Sequence, residues 1–223
     1  MFEMKHIWIL GGGKFGKKAG IQLKQKFPGH HIVGVEKNKT KCKSLSHIFD
    51  ELFCIDSIKF LNQYFKDSNE PEWIVPAIPV HLAFQWVKQK LSTEVKVMRM
   101  ELPDFFLRAL PNCMKGTNGD IYSSMANFIC PDNCPEPEEF CSYTRKPRPY
   151  NLYEKIEKES PQAFFPVVIR SVQLAPGLGG ISPKTLFDGL EQIKKTSKPV
   201  ILATACRCHG VVSAFRCVGN PKK

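Results

Sequence analysis

Short apolar runs alternate with amphipathic stretches along the first hundred residues, the rhythm of strand–helix–strand units in a parallel sheet. His6–Leu10 (HIWIL) and His31–Val35 (HIVGV) read as the first two strands and 52–55 as a third. A fourth, 73–78 (WIVPAI), is less regular because Pro76 removes a backbone donor. Between the first two strands Phe15, Ala19, Leu23 and Phe27 recur on one side of a helix, and Lys14, Lys17, Lys18 and Lys24 occupy the other. Helical spacing returns in Ile58, Leu61, Tyr64 and Phe65, and again in Val80, Ala83, Phe84, Val87 and Leu91, before Val95–Met100 (VKVMRM) predicts a fifth strand. The rhythm breaks from Leu102 to about Pro161, where Pro103, Pro111, Pro131, Pro135, Pro137, Pro147 and Pro149 punctuate the chain and Asn118-Gly119 signals a turn. It resumes in 167–174 and in a helix with Leu186, Phe187, Leu190 and Ile193 on one face, preceded by Ser182 and Pro183 as cap and first turn. A last strand is expected over 200–204, and residues 220–223 read as a frayed tail.

The first strand runs into Gly11-Gly12-Gly13-Lys14-Phe15-Gly16, a G-x-G-x-x-G turn that opens the first helix. In this motif the first glycine permits the tight turn, the second lets the backbone approach a pyrophosphate, and the third allows helix and strand to pack closely. The helix N-terminus offers unpaired N–H groups and a positive dipole end to phosphates. Glu36 ends the second strand about twenty residues beyond Gly16, where a carboxylate can accept ribose hydroxyls and favour NAD. Lys37, Lys39 and Lys41 follow at once and suit a 2′-phosphate, so NAD and NADP both stay open. The expected fold class is therefore α/β: a Rossmann-like, doubly wound parallel sheet with a cysteine- and proline-rich irregular insertion. Residues 1–100 form the dinucleotide-binding unit, 101–165 the insertion, and 166–223 a returning α/β segment that completes the sheet and ends in a cysteine-rich C-terminus.

Residues 4 to about 100 resemble the NAD-binding domain of potassium-channel and potassium-transporter regulators, the RCK type. That family carries the same glycine turn, an acidic residue closing strand two and an aspartate after strand three; Gly11, Gly13, Gly16, Glu36 and Asp56 match. The resemblance implies a nucleotide-binding fold with Gly11, Gly13, Lys14, Phe15, Gly16, Glu36, Lys37 and Asp56 at the dinucleotide, often in a homodimer. Ile55 stands where the family has glycine, and residues 101–223 resemble no part of it, so no ion-regulatory role is carried over.

Composition adds a setting. Hydrophobic content of 43% and charged content of 24% are those of an ordinary globular protein. No apolar run approaches the ~20 residues that span a bilayer, and the N-terminus lacks a signal-like apolar segment, so membrane insertion is not expected and a cytoplasmic location is. In that reducing setting the nine cysteines are expected as thiols, metal ligands or redox groups. The formal charge of +11 suits polyanions, but the lysines of the first helix form a solvated face and no nucleic-acid motif is present, which argues against nucleic acid as a partner.

Cys130, Cys134 and Cys141 fall within a proline-rich loop that has little hydrophobic reason to hold one shape, a task that metal ligation can perform. Cys206, Cys208 and His209 leave the carboxyl end of the last expected strand, on the rim where open parallel sheets bind ligands. Together they are candidate ligands for an iron–sulfur cluster or zinc; neither spacing matches a named metal motif. Cys42 and Cys54 are expected to be packing residues, and His81 a packing or capping group. The basic loop from Tyr143 to Tyr150 and Gly177–Gly180 are each candidate anion contacts or plain connections. Three functions stay open: an NAD(P)-dependent oxidoreductase with electrons passing between nicotinamide and a metal centre, a nucleotide sensor with structural zinc, and a cysteine-dependent transferase using Cys208 and His209.

Overall fold

The computed structural model describes residues 4–66 and 70–219; the tail at 220–223 lies outside them. The chain is a mixed α/β protein built on two sheets. The first is parallel, in the order β3-β2-β1-β4, from β1 (His6–Leu10), β2 (His31–Val35), β3 (Glu51–Phe53) and β4 (Trp73–Pro76). Its strands are joined by α1 (Lys14–Lys26), α2 (Lys39–Leu45) and α3 (Ser57–Tyr64). The side-chain alternation of a strand divides its core in two. Ile7 and Ile9 pack on Ala19 and Leu23 of α1, whereas Trp8 and Leu10 join Phe60 and Leu61 of α3 and the next helix, α4 (Leu82–Leu91). Burial on both faces explains why these strands read as continuous apolar runs. Pro76 is the last residue of β4, opposite Leu10, so its missing donor does not interrupt a central ladder.

β5 (Val95–Met100) leaves this sheet. Here the expected completion of one parallel sheet needs correction, since the remaining strands build a second one. It contains β6 (Met114–Lys115), β7 (Ile121–Ser124), β8 (Phe165–Arg170), β11 (Val200–Ala205) and β12 (His209–Gly219), in the order β6-β7-β12-β11-β8. β12 pairs β7 through His209–Val212, and β5 through Ala214–Gly219. The physical reason lies in VKVMRM, where charged Lys96 and Arg99 interrupt the apolar positions. Such a strand suits an antiparallel sheet wetted on one side and fits poorly inside a parallel sheet buried on both. The edge of β4 is met instead by Ile181, bridged to Ile74.

The stretch expected to be irregular is ordered at both ends. α5 (Asp104–Ala109) buries Phe106 completely, and Gly119, at φ +78°, makes the turn that joins β6 to β7. α6 (Leu152–Glu159) seals the far side of the second sheet with Leu152 and Ile156. Only 125–150 lacks helices and strands, apart from a bridge between Phe140 and Pro147. The glycine stretch after residue 175 is a hairpin of β9 (Val172–Ala175) and β10 (Leu178–Gly180), turned at Gly177 with φ +72°, and α7 (Pro183–Lys195) follows. Cys42 and Cys54, expected as separate packing thiols, are joined in a disulfide between α2 and the segment after β3, their Cα atoms 6.1 Å apart. Among the described residues no helix is long and apolar enough to cross a membrane.

Candidate functional site: a cavity walled by cysteines beside the glycine turn

At the end of β1 the chain turns through Gly11, whose φ of +113° L side chains rarely adopt. A Cβ on Gly16 would stand 1.7 Å from the Gly11 carbonyl oxygen, so α1 can sit this close to the strand only with glycine there. Gly13 differs: its φ of −70° is ordinary and nothing lies within 4 Å of the position a Cβ would take. It is the N-cap of α1, without a side-chain capping bond and without an acidic residue in the first turn, so no capping side chain takes up the orphan N–H groups of the helix N-terminus. Glu36 is buried, and its two oxygens accept from the N–H groups of Gly12 (2.9 Å) and Asn38 (2.8 Å). Asp56 caps the start of α3 by accepting from the N–H groups of Ile58 and Lys59, a helix-starting role that its place after β3 accounts for.

The cysteine loop packs against the start of α1. Lys14 pairs with the Asp132 carboxylate at 2.5 Å and holds its acid below the usual carboxylate range, while Lys18 donates to the Asp132 carbonyl. The Cys134 carbonyl accepts from Gly177 N–H (2.8 Å) and Gln173 Nε2 (2.6 Å), fastening the loop to the β9–β10 hairpin. Arg148 donates to the carbonyls of Pro137, Glu138 and Phe140, and Arg207 donates through its backbone N–H to Glu136 and through its guanidinium to Glu138. The basic loop is thus a staple for this segment, and polar anchors rather than a core give 125–150 its shape.

The anchored loop walls one side of a half-open cavity of about 870 Å³ between the two sheets. Cys130, Cys134, Cys141, Cys206, Cys208 and His209 all line it, together with Phe15 from the first turn of α1 and Ile78 and Pro79 from the loop after β4. Gly11, Gly13, Lys14, Gly16, Glu36, Lys37 and Asp56 lie off its wall, so the two groups of predicted site residues meet at Phe15 on that wall and through the Lys14–Asp132 pair beside it. The Cys130 thiol is pushed up by burial and by the neighbouring thiols of Cys134, Cys141 and Cys208. Burial also raises Cys208, opposed by Arg148 and helped by Glu136 and Cys134, whereas Thr144, through its hydroxyl and N–H, lowers half-buried Cys141. Cys206 stands apart: burial and then the Glu136 carboxylate push it up to about 12, although the N–H groups of Cys208 and His209 point at its Sγ (3.4 and 3.3 Å). Among the described residues no group of three or more His, Cys, Asp or Glu side chains is placed to hold a metal ion.

Behind the cavity lies a polar chain that the sequence does not reveal. His81, 1% exposed and expected only to pack or cap, places Nδ1 2.8 Å from Ser213 Oγ and Nε2 3.0 Å from Thr204 Oγ1. Ser213 donates to Asp120 Oδ1, and Arg99 Nη2 donates to the same oxygen at 2.9 Å. With the Ser213 proton committed to Asp120, Nδ1–H of His81 must donate to Ser213, and bare Nε2 accepts from Thr204. Asp120 Oδ2 is buried without a partner, and both His81 and Thr204 line the cavity. The signal available in the sequence was polar Ser213 and Thr204 inside otherwise apolar strands.

Burial lowers the His81 pKa from 6.5 to about 4, with Asp120 opposing that shift and Arg99 adding to it. The unfolded chain therefore binds the extra proton between these values. This stabilising contribution is complete above pH 6.5 and is lost as pH falls toward 4. Thermal denaturation should show Tm declining over that window, with a shallower decline in His81→Gln; equal slopes would contradict the assignment.

A family model described as "Uncharacterized protein, C-terminal domain" matches residues 83–218, from within α4 to the end of β12. The chain is also 28% identical over 222 residues to a protein of Archaeoglobus fulgidus described as "Uncharacterized protein", an alignment covering 93% of this chain and 98% of that relative. No solved structure matches. The family segment contains every cysteine of the cavity wall together with Asp120, Thr204 and Ser213; the glycine turn precedes it.

Proposed function

The chain belongs to the family defined by that C-terminal domain, and we propose that it is an NAD(P)-binding redox protein whose cavity holds an iron–sulfur cluster on Cys130, Cys134, Cys141 and Cys208. The observation that carries this reading is the gathering of these four thiols on one cavity wall that also includes Phe15, from the helix that would receive the dinucleotide phosphates.

For the dinucleotide, the support is a Rossmann-like arrangement. The strand order β3-β2-β1-β4 is that of its first four strands, the glycine turn has the required close approach at Gly16, and nothing lies within 4 Å of a Cβ on Gly13, the N-cap of α1. The likeness of residues 4–100 to the RCK-type domain points the same way. Each Glu36 oxygen already accepts one N–H and retains a lone pair for a ribose hydroxyl.

Iron–sulfur and zinc ligation make different demands on these thiols. A single zinc draws four ligands to about 2.3 Å from one point, and among the described residues no group of three or more His, Cys, Asp or Glu is placed to hold a metal ion of any kind, so either metal would have to draw the thiols together on binding. A polynuclear cluster takes four thiolates spread around a larger body, which suits thiols that influence one another across a cavity. When bound, the cluster would supply one-electron redox capacity to the cavity.

Anaerobic reconstitution with iron and sulfide tests the reading. A brown protein with matching iron and sulfide content, which binds NAD(H) or NADP(H) and loses colour when NAD(P)H is added, is the expected result. A colourless protein containing one zinc per chain would favour the sensor instead.

A further inference from the structure

Donors and acceptors along the buried polar chain fix what its last member can offer. Ser213 commits its proton to Asp120, which Arg99 holds from the other side at 2.9 Å. His81 commits Nδ1–H to Ser213, and Thr204 commits its hydroxyl proton to Nε2 of His81. Thr204 is left with lone pairs alone. It sits half-buried near the end of β11 on the cavity wall, so what it presents there is a hydrogen-bond acceptor and no donor. Three of the residues behind it, His81, Asp120 and Ser213, are buried polar groups, and a cavity floored by apolar side chains would avoid their desolvation cost.

Around this acceptor the wall is largely apolar. Ile78, Phe128, Leu178, Ile181 and Val211 contribute to it, and Phe15 adds a half-exposed ring from the first turn of α1. The acidic and basic side chains of the wall are Asp132, Glu136, Lys146 and Arg148, and three of them are already engaged. Asp132 pairs with Lys14, Glu136 accepts from the Arg207 N–H, and Arg148 donates to three backbone carbonyls. Lys146 is exposed to solvent, where a charge contributes little to holding a partner. A ligand therefore needs no charge of its own to match this cavity, whose volume of about 870 Å³ is that of a small-molecule site.

We propose that the cavity is a binding site for an uncharged, largely apolar alcohol or phenol whose hydroxyl donates to Thr204 Oγ1. The inference goes beyond the cluster reading and needs neither a metal nor a dinucleotide to be bound. Hydrogen bonds in a chain polarise one another, so the links through His81 and Ser213 to Asp120 make Thr204 a stronger acceptor than a hydroxyl standing alone. An ether of the same shape brings no proton and sets its lone pairs against those of Thr204. A site built to hydrogen-bond one hydroxyl rejects the analogue that lacks the donor, because its own polar group is then left unpaired.

The probes are 2-naphthol and 2-methoxynaphthalene, which share a ring system and differ in the donor. Calorimetric titration of the protein as purified, at pH 7, should show 2-naphthol binding about tenfold more tightly, the scale of one good hydrogen bond. Thr204→Val exchanges the hydroxyl for a methyl of the same shape and should bring the two affinities together, whereas Thr204→Ser should keep the preference. Equal affinities in the wild type, binding of neither probe, or a preference that survives in Thr204→Val overturns the proposal. If Thr204→Val does not fold, methyl-labelled wild type locates 2-naphthol by NMR. Shifts at Ile78 and Ile181, which line the cavity, with Ile7 and Ile32 of the core unmoved, support the site, and shifts that spare Ile78 and Ile181 overturn it. A colourless protein that separates the probes leaves this inference standing while the cluster reading fails, and a brown protein that does not separate them removes this inference alone.

Discussion

Substituting Cys130 with serine is expected to abolish cluster assembly, with iron after reconstitution falling to well under a quarter of the wild-type content. Three other thiols, those of Cys134, Cys141 and Cys208, act on Cys130, so it is the member of the group that touches all the rest electrostatically. A serine hydroxyl is a poor thiolate substitute, and one missing ligand leaves a cluster open to solvent and loss. The loop itself should be affected as well, because 125–150 is held by polar anchors and would lose its metal clip. Cys217 supplies the control: it packs against the main core and lies off the cavity wall, so Cys217→Ser should keep its iron. Equal iron in Cys130→Ser and wild type would remove the thiol cluster from consideration.

The second large effect separates two glycines of one motif. Gly16→Ala should destabilise the fold by more than about 3 kcal/mol, the upper end of overpacking costs, because the colliding atom is a backbone carbonyl that cannot swing away. For a chain of this size that amounts to a Tm lower by roughly 6–12 °C. Gly13→Ala should leave Tm unchanged or slightly raised, since its φ of −70° is acceptable to alanine and the methyl meets nothing within 4 Å. Its dinucleotide affinity should nevertheless drop at least about tenfold, a loss of about 1.4 kcal/mol, as the methyl would occupy the space through which a pyrophosphate approaches. Calorimetric titration with NADH of both wild type and Gly13→Ala checks this, and equal affinities would refute the binding role of the turn.

Legibility followed the range of the interactions involved. His6–Leu10, His31–Val35 and Val95–Met100 carry their apolar patterns locally, and their boundaries agree with the structure. The pairing of Val95–Met100 was not legible, because its partner lies at 214–219, a strand the local pattern failed to announce. Gly177–Gly180 read equally as an anion contact or a plain connection and is part of a hairpin, a distinction made by the antiparallel pairing of 178–180 with 172–175. His81 and Ser213 are 132 positions apart, and no spacing rule joins them.

By itself the sequence determined the parallel strand–helix frame of the first ninety residues, the glycine turn, and the need of the proline-rich loop for an anchor beyond hydrophobic burial. These follow from backbone sterics and from the period of apolar positions, which act over a few residues. Only the tertiary structure decided that a second sheet forms, that Cys42 and Cys54 bond, and that the cysteine loop is clasped by Lys14 and Lys18 over a cavity it shares with Phe15, Thr204 and His81. Those outcomes depend on which distant surfaces exclude water together and which buried polar groups find partners, and both are properties of the assembled chain.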